Sequence, residues 1–355
     1  MRGGLEWAAR QPGDSFKLAV GVQLGDITSY EYELSCVIRD NRCELLAEQL
    51  ERVRYRARRD GTFTESGRIK LYTTDPLAPD SPNITARLYN EKRGTPRQLS
   101  RSSVILHQLR GQKLRSEIED GVSQVLAALQ SIFILDPIPS HMRGFSPLSD
   151  RLESDARNIA GVLAALPHDE RRAVEEELTN YGKQLPERDI NRVYAEVVGK
   201  FKSDAMLYCE EQWNGSHEAP VVDARGMSDG TLRFLAIVVA LLTRPKGSLL
   251  VVEEVDNGLH PSRSGLLLDV LRTVGTRRSV DIVVTTHNPA LLDRMGLEMI
   301  PMTTVAHRDP EAGFSRLTLL EDIRDLPKLL AHGQVGRLTS EGLIEEAIHR
   351  QNADS

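Results

Sequence analysis

The sequence contains little cysteine and no long hydrophobic run. The three cysteines, Cys36, Cys43 and Cys209, have neither the spacing of a metal site nor the density of a secreted disulfide scaffold. The longest apolar run, from Phe234 to Leu242, covers nine residues, about half of the roughly 20 that a membrane-spanning helix needs. The first residues include no apolar segment that would direct export. We therefore expect a cytoplasmic protein with reduced thiols and no membrane partner.

Charge is distributed unevenly along the chain. The net charge of −6 combines a basic part, residues 1–115 with 20 Lys and Arg against 14 Asp and Glu, with an acidic remainder. Every second residue of one stretch within ERVRYRARRDG is an arginine: Arg52, Arg54, Arg56 and Arg58. Alternate residues of a strand share a face, so the pattern predicts an arginine face. Contact with nucleic acid is one interpretation of this face. A solvated face without a ligand is the alternative.

The hydrophobic periodicity changes twice along the chain and predicts three segments. Residues 1–115 contain short alternating runs typical of antiparallel strands, and residues 116–202 have mainly helical periodicity, which indicates a helical insertion. Residues 203–355 begin with two strands and continue, after Gly226, as helices alternating with continuous apolar strands. That alternation predicts a parallel sheet covered on both faces. A closing strand pair and terminal helices are expected at the end.

Two buried strands of the last segment end in polar side chains. SLLVVEEV ends in Glu253 and Glu254, and VDIVVTTH ends in Thr285, Thr286 and His287. Ligands of open α/β sheets sit beyond the carboxyl ends of the parallel strands. One acid could hold hydrated Mg²⁺ while its neighbour, pointing the other way, orients water toward phosphorus. Two glutamates in a solvated turn are the alternative.

The stretch GMSDGTLRFLAIVVALL combines a helix start with a long apolar helix. Ser228 is suited to the N-cap, Asp229 to the first turn, and Gly230 to a close backbone approach. The exposed N–H groups of a helix start can bind an anion. A cap that only begins a core helix is the alternative.

Together these stretches resemble a known family. MSDGTLRFLAIVVALL, LLVVEEVDNGLHP and IVVTTHNPALLD are similar to the signature motif, the Walker B and D-loop, and the switch-histidine segment of ABC-type ATPases. The match is to RecF-like and SMC-like AAA-family ATPases of the OLD-related group, and it is dense from about Gly226 to Asp293. The resemblance implies an α/β P-loop NTPase fold of ABC/SMC type, with an antiparallel β lobe, a helical insertion and a parallel-sheet lobe.

The resemblance also implies roles for individual residues, with ATP and Mg²⁺ as cofactors. Glu253 matches the acid that holds Mg²⁺, Glu254 the carboxylate that positions water, and His287 the histidine that contacts the γ-phosphate. The residues that match nucleotide-binding positions of the signature motif and D-loop are Ser228, Asp229, Gly230, Asn257, Gly258 and His260. In this family the signature motif reaches the ATP held by the other subunit, which implies a homodimer.

Two of these residue assignments have open alternatives. His260 is equally suited to a turn packed under Pro261. Gln108, in SSVILHQL, fits the Q-loop glutamine that senses Mg²⁺, but a surface glutamine without such a role also fits the pattern.

A P-loop, G-x-x-x-x-G-K-[ST], does not occur in the 355 residues. In the family it precedes the antiparallel strands, and RGGLEWAARQ resembles the end of the helix that follows it, so we expect the chain to begin after the P-loop. Without a phosphate cradle, we expect no measurable ATP hydrolysis by this chain alone and nucleotide binding only in the millimolar range, roughly.

The expected function is ATP hydrolysis by a nucleotide-gated dimer in DNA repair or in defence against foreign DNA, such as phage DNA. DNA and a separate nuclease subunit are the expected partners, because no nuclease signature follows His287. The alternative is a non-catalytic half-site that acts as a binding module with an intact ATPase or nuclease partner. Coupling to a transporter is disfavoured by the large insertion and by the SMC-like signature spelling.

Overall fold

A computed structural model describes residues 8–9, 13–25, 27–76, 81–89, 94–185, 190–212, 220–309 and 313–353. The chain divides into two compact units, residues 1–131 and residues 132–355. The combination of antiparallel and parallel sheets with helices confirms the α/β prediction. Among the described helices, none has the length and apolar character needed to cross a membrane.

The first unit is built on an antiparallel sheet whose six strands follow one another in chain order. Its strands and helices are β1 (Ser15–Leu24), β2 (Thr28–Arg39), β3 (Arg42–Ala57), β4 (Phe63–Thr74), β5 (Asn83–Leu88), β6 (Thr95–Ser100), α1 (Ile105–Gln108) and α2 (Ser116–Ser131). α2 buries Ile118, Val122 and Val125 in the core that Leu50 and Tyr72 line from the strands. This spacing of three and four residues is that of one helix face.

A buried carboxylate joins β3 to α1. Glu48 is only 1% exposed, and its Oε1 accepts hydrogen bonds from the hydroxyls of Tyr32 (3.1 Å) and Tyr72 (2.8 Å). The same carboxylate accepts the backbone N–H groups of Ile105 (2.6 Å) and Leu106 (2.8 Å), the first residues of α1. Burial raises the pKa of Glu48, and the pKa values of both tyrosines are raised as well, chiefly by burial.

The second unit is organised around the central helix α5. Its elements are β7 (Ile132–Leu135), β8 (Ser146–Pro147), α3 (Ile159–Ala165), α4 (His168–Gly182), β9 (Ile190–Val198), β10 (Asp204–Glu211), β11 (Val221–Asp223), α5 (Asp229–Thr243), β12 (Leu249–Val252), α6 (Ser264–Arg278), β13 (Asp281–Val284), α7 (Pro289–Leu292), β14 (Thr304–Arg308), β15 (Ser315–Leu319), α8 (Leu326–Leu330), α9 (Val335–Ser340) and α10 (Leu343–Ala353). Every residue of α5 from Gly230 to Leu242 is buried. A helix that is apolar on all sides belongs in the interior.

The strands of the second unit form two sheets and a hairpin. β12 lies between β13 and β7 in a parallel sheet, and β10 pairs with β8, β9 and β11 in an antiparallel one. The expected closing strand pair is present as the hairpin β14–β15, and α8 to α10 are the expected terminal helices.

The strand β7 does not follow from the sequence pattern. The helical periodicity extends through Ile132 and predicts a mainly helical range 116–202, whereas α2 ends at Ser131 and the next four residues form a parallel strand. No breaker separates the helix from IFIL, so only the pairing with β12 identifies the strand. β8 and β9 also lie within that range.

One face of the parallel sheet is partly open. Ile134 of β7 is 52% exposed and Val283 of β13 is 49% exposed. Both residues are paired with Val251 of β12, so their side chains lie on the same face. The opposite face, with Leu250 and Val252, is buried in the core.

The Glu48 contacts predict a measurable loss of stability. Replacing Glu48 with Gln puts an amide donor where two hydroxyls and two backbone N–H groups need acceptors, which leaves a buried donor unsatisfied at about 1–3 kcal/mol. We expect a lower urea midpoint and faster amide exchange at Ile105 and Leu106. The matched control is Glu119→Gln, at an exposed glutamate of α2 in the same unit. Its free energy of unfolding should stay within about 0.5 kcal/mol of the wild-type value. Equal stability of the two variants would contradict the anchoring role of Glu48.

Candidate functional site

The three parallel strands end at the same level. Val252 of β12 is in register with Leu135 of β7 and with Val284 of β13. Beyond these residues, the N–H of Glu253 donates to the carbonyl of Leu135 (3.2 Å) and the N–H of Thr285 donates to that of Val252 (3.1 Å). The first residues after the strands, Asp136, Glu253 and Thr285, therefore share one edge of the sheet. In open α/β sheets, ligands bind beyond this edge, at the carboxyl ends of the parallel strands.

Glu254 is held in an unusual backbone conformation. Its φ is +44°, in the left-handed region that costs a residue with a side chain roughly 1–2 kcal/mol. The N–H of Glu254 donates to Oγ1 of Thr285 (2.9 Å), and its carboxylate accepts from Nδ2 of Asn257 (3.0 Å). The turn after β12 and the end of β13 together fix the position of this carboxylate.

The side chain of Glu253 makes no hydrogen bond or ion pair with another described residue. It is half-buried, one residue before the strained Glu254. A carboxylate that is not used by the protein keeps its lone pairs available for a hydrated cation.

A third acid, Asp136, lies at the edge and is not among the site residues predicted from the sequence. Asp136 follows β7 and forms an ion pair with Nη2 of Arg233 in α5 (3.0 Å). Arg233 is buried, and its Nη1 also lies 3.4 Å from the carbonyl oxygen of Asn257. The sequence does contain a signal for Asp136, because ILD repeats the pattern of an apolar run followed by an acid seen in VVE.

The end of β13 presents the two threonines and the histidine differently. Thr286 donates from Oγ1 to the buried carboxylate of Asp256 (2.7 Å) and accepts the N–H of Asn288 (3.0 Å). Thr285 and His287 are exposed, and His287 makes no side-chain hydrogen bond to another described residue. Thr286 thus fixes the turn, while His287 is available to a ligand.

Ser228 and Asp229 are exposed at the start of α5. Oγ of Ser228 accepts the N–H of Thr231 (3.1 Å), so the predicted N-cap is confirmed. The carboxylate of Asp229 forms an ion pair with Arg143. The cap geometry satisfies one of the free N–H groups of the helix start and leaves Ser228 at the surface.

Gly230 allows the start of α5 to approach the turn after β12. A Cβ on Gly230 would lie 2.9 Å from the carbonyl oxygen of Gly258 and 2.9 Å from Nη1 of Arg263. Gly258 itself has a φ of +72°. The predicted signature and D-loop residues are therefore packed together within one chain, and the observed role of Gly230 is this close approach.

His260 has the turn role that the sequence left open. Its Nδ1 lies 2.8 Å from Oγ of Ser262 and accepts the N–H of the same residue at 3.3 Å. The ring thereby caps the 3₁₀ turn Pro261–Arg263.

The predicted arginine face and the predicted Q-loop glutamine lie in the first unit, whereas the sheet edge lies in the second. Arg52 is 8% exposed and forms an ion pair with Glu117 of α2 (3.0 Å), so it is not part of an exposed row. Arg54, Arg56 and Arg58 are exposed.

Gln108 is not a free Q-loop side chain. Its Nε2 donates to the carbonyls of Ser100 and Ser103, each at 2.8 Å, and its Oε1 accepts the N–H of Ser100 (3.0 Å). Most of the segment RGGLEWAARQ, which was predicted to follow a P-loop, lies outside the described residues.

Comparison with solved structures finds SMC ATPase heads. The chain is similar to the Smc head domain of Pyrococcus furiosus, solved with an extended coiled coil and bound to the C-terminal domain of ScpA, at 11% identity over 86% of this chain and 81% of that chain, with a TM-score of 0.39. It is similar to the SMC head domain from Thermotoga maritima at 12% identity over 83% and 74%, with a TM-score of 0.35. A third structure, described under ATP-driven dimerization and DNA stimulated activation of SMC ATPases, matches at 13% identity over 45% and 92%, with a TM-score of 0.31.

Comparison of sequences identifies the family. Among curated proteins, no sequence matches this chain. A family model described as "AAA domain, putative AbiEii toxin, Type IV TA system" matches residues 31–293, well over half of the chain. The protein therefore belongs to this family of AAA-domain ATPases, as the resemblance to ABC- and SMC-like AAA-family ATPases predicts.

Proposed function

We propose that this chain supplies the magnesium-binding, water-positioning and signature elements of an ATP-hydrolysing site shared between two subunits. The observation that carries the proposal is the shared edge at the ends of β7, β12 and β13. There Glu253 is unpaired among the described residues, and Glu254 is fixed by Thr285 and Asn257. Phosphoryl transfer depends on such positioning more than on covalent chemistry.

The two glutamates have complementary tasks in this proposal. Glu253 would hold Mg²⁺ through water, since Mg²⁺ retains several waters and needs few carboxylates. Glu254 would orient the attacking water, because its carboxylate is held by Asn257 at 3.0 Å. His287, exposed beyond β13, would contact the γ-phosphate. Bound Mg²⁺ supplies charge stabilisation to the phosphates.

The start of α5 would act across the dimer. Ser228 is exposed and caps the helix, so its hydroxyl and the neighbouring N–H groups can meet a phosphate of the ATP held by the other subunit. Gly258 lies against this helix start through Gly230, and the carbonyl oxygen of Asn257 lies 3.4 Å from Nη1 of Arg233 in the same helix. Movement of the D-loop turn would therefore also move the helix start that carries Ser228.

The phosphate cradle has to come from outside these 355 residues, which contain no P-loop. This observation also favours the second candidate function, a half-site that lends its signature elements to an intact partner. The two candidates differ in one measurable respect: only the first requires Glu254 for turnover.

DNA and defence are the finer part of the proposal. The exposed Arg54, Arg56 and Arg58 support contact with nucleic acid phosphates, and the family description names an AbiEii toxin and a type IV toxin–antitoxin system. We infer a cytoplasmic role in repair or in defence against foreign DNA, with any nuclease as a separate subunit.

Replacing Glu254 with Gln tests the catalytic assignment. With a P-loop strand and helix joined ahead of Ser15, we expect ATP binding to be retained and turnover to fall by about 100-fold or more, since the amide cannot orient water as a carboxylate does. Steady-state phosphate release and calorimetry measure the two properties. The matched control is Asp281→Asn, at an exposed acid at the opposite end of β13. Turnover equal to the control would leave only the half-site function.

Replacing Ser228 with Arg tests the composite site. The arginine should block closure without removing ATP from the same subunit, because the contact is with the other subunit's nucleotide. Mixed in equal amounts with a P-loop variant, this variant should recover part of the turnover, since one intact composite site forms per mixed dimer. No recovery, with both variants folded and assembled, would contradict the shared site.

Changing Arg54, Arg56 and Arg58 to Ser tests nucleic-acid contact. Each lost phosphate contact should lower the slope of log affinity against log salt by about one unit. Anisotropy titrations with a DNA duplex at several salt concentrations measure this slope. Arg52→Ser is excluded from the set because its ion pair with Glu117 is structural. An unchanged slope would indicate that the three arginines form a solvated face without a ligand.

A further inference from the structure

One arginine, Arg143, contacts four residues in and around the turn that precedes α5. Nη1 of Arg143 lies 3.1 Å from the carbonyl oxygen of Ala224, 2.8 Å from that of Arg225 and 2.8 Å from that of Met227. Nη2 of the same guanidinium donates to the carboxylate of Asp229. The contacts extend over six consecutive residues that lead to and begin the helix.

The turn has bonds of its own besides those to this arginine. Within it, the N–H of Gly226 donates to the carbonyl of Asp223 (2.9 Å), and the N–H of Arg225 donates to the Asp223 carboxylate (3.0 Å). These bonds close the first half of the turn. The carbonyls of Ala224, Arg225 and Met227 point to Arg143 instead, so the direction in which Ser228 emerges is set by the guanidinium.

Arg143 is itself held by a braced loop. The loop begins at Asp136, directly after β7, and its N–H groups at Asp136 and Ile138 donate to the carbonyls of Ser154 (2.8 Å) and Asp155 (3.0 Å). Met142, next to Arg143, is buried in the core. The loop therefore fixes both the third acid of the sheet edge and the arginine of the signature turn.

Asp155 secures this brace from the side. Its carboxylate lies 2.9 Å from Nδ1 of His141 and accepts from Nε of Arg157 at 2.7 Å. Burial would raise the pKa of Asp155, but the bonds from Arg157 and His141 outweigh it and lower the pKa to about 2. The acid is thus ionised at neutral pH and keeps both contacts.

Charge gives Arg143 a second role. Asp229 is 68% exposed at the helix start, where an unpaired carboxylate would repel a phosphate. The ion pair with Arg143 cancels that charge. The N–H groups of the helix start then attract an anion without an opposing acid.

We propose that Arg143 is a positioning residue for the signature contact: it sets the turn that presents Ser228 and neutralises Asp229, so that the start of α5 accepts the phosphates of the nucleotide. The inference rests on the proposed function, since it concerns the same contact. It also joins the two halves of the site, because the loop that carries Arg143 starts with Asp136 at the sheet edge.

Amide NMR of the full chain with Mg·ATP as the probe tests this role. In the wild-type protein, millimolar Mg·ATP should shift the amides of Ser228 to Thr231 and, separately, those of Glu254 and Thr285. In Arg143→Gln, the apparent Kd from the first set should rise about tenfold, the size of one lost charge-assisted contact. The second set should titrate as in wild type. Arg143→Lys should fall between the two, because an ammonium keeps the charge but cannot span three carbonyls.

The double variant Arg143→Gln, Asp229→Asn separates this role from a purely structural one. Removing Asp229 should recover part of the lost affinity, since the repelling carboxylate is gone, whereas a structural role predicts no recovery. Thermal unfolding checks that each variant is folded, and Arg143→Lys, which retains the charge, provides the test if Arg143→Gln does not fold.

The outcomes distinguish this inference from the proposed function. If Mg·ATP shifts neither set of amides in the wild type, the proposed function fails and the role of Arg143 with it. If it shifts only Glu254 and Thr285, the sheet edge stands and the inference is wrong. If Ser228 to Thr231 titrate equally in wild type and in the folded Arg143 variants, Arg143 has no such role.

Discussion

The candidate site depends on the common register of three parallel strands. Because Leu135, Val252 and Val284 pair at one level, Asp136, Glu253 and Thr285 emerge together at one edge. A slip of one residue would turn each of these side chains to the other face of the sheet. The register is maintained by the buried face of the sheet, where Leu250 and Val252 pack in the core.

The helix α5 connects this edge of the sheet to the turn that precedes Ser228. The burial of Gly230 to Leu242 leaves the helix little freedom to rotate or slide, and Arg233 on one side forms the ion pair with Asp136 at 3.0 Å. Gly230 brings the helix start against the carbonyl of Gly258, so no side chain separates the two motifs. The close approach makes the turn after β12 and the signature turn mechanically dependent on each other.

Two arginines form ion pairs with acids near the site, so these acids are less available to a cation. Arg233 neutralises Asp136, and Arg143 neutralises Asp229. Glu253 keeps a side chain that no described residue occupies, and Glu254 is held by neutral groups of Asn257 and Thr285. Asp256 is a further acid without an arginine partner among the described residues, but it is buried and bonded to Thr286. Glu253 and Glu254 are the less buried acids, and a hydrated cation with attached phosphates is favoured beside them.

The sequence by itself determined the main elements and the residues of interest. Continuous aliphatic runs specified β12 and β13, the apolar run after Ser228 specified α5, and the acids and the histidine at the strand ends marked the edge, because these signals are local. Only the tertiary structure decided the rest. The strand β7 and the acid Asp136 depend on pairing with β12, and the ion pair of the buried Arg52 with Glu117 depends on how α2 packs on the sheet. The contacts of Arg143 join residues more than 80 positions apart, and no periodicity along the chain encodes a meeting of that kind.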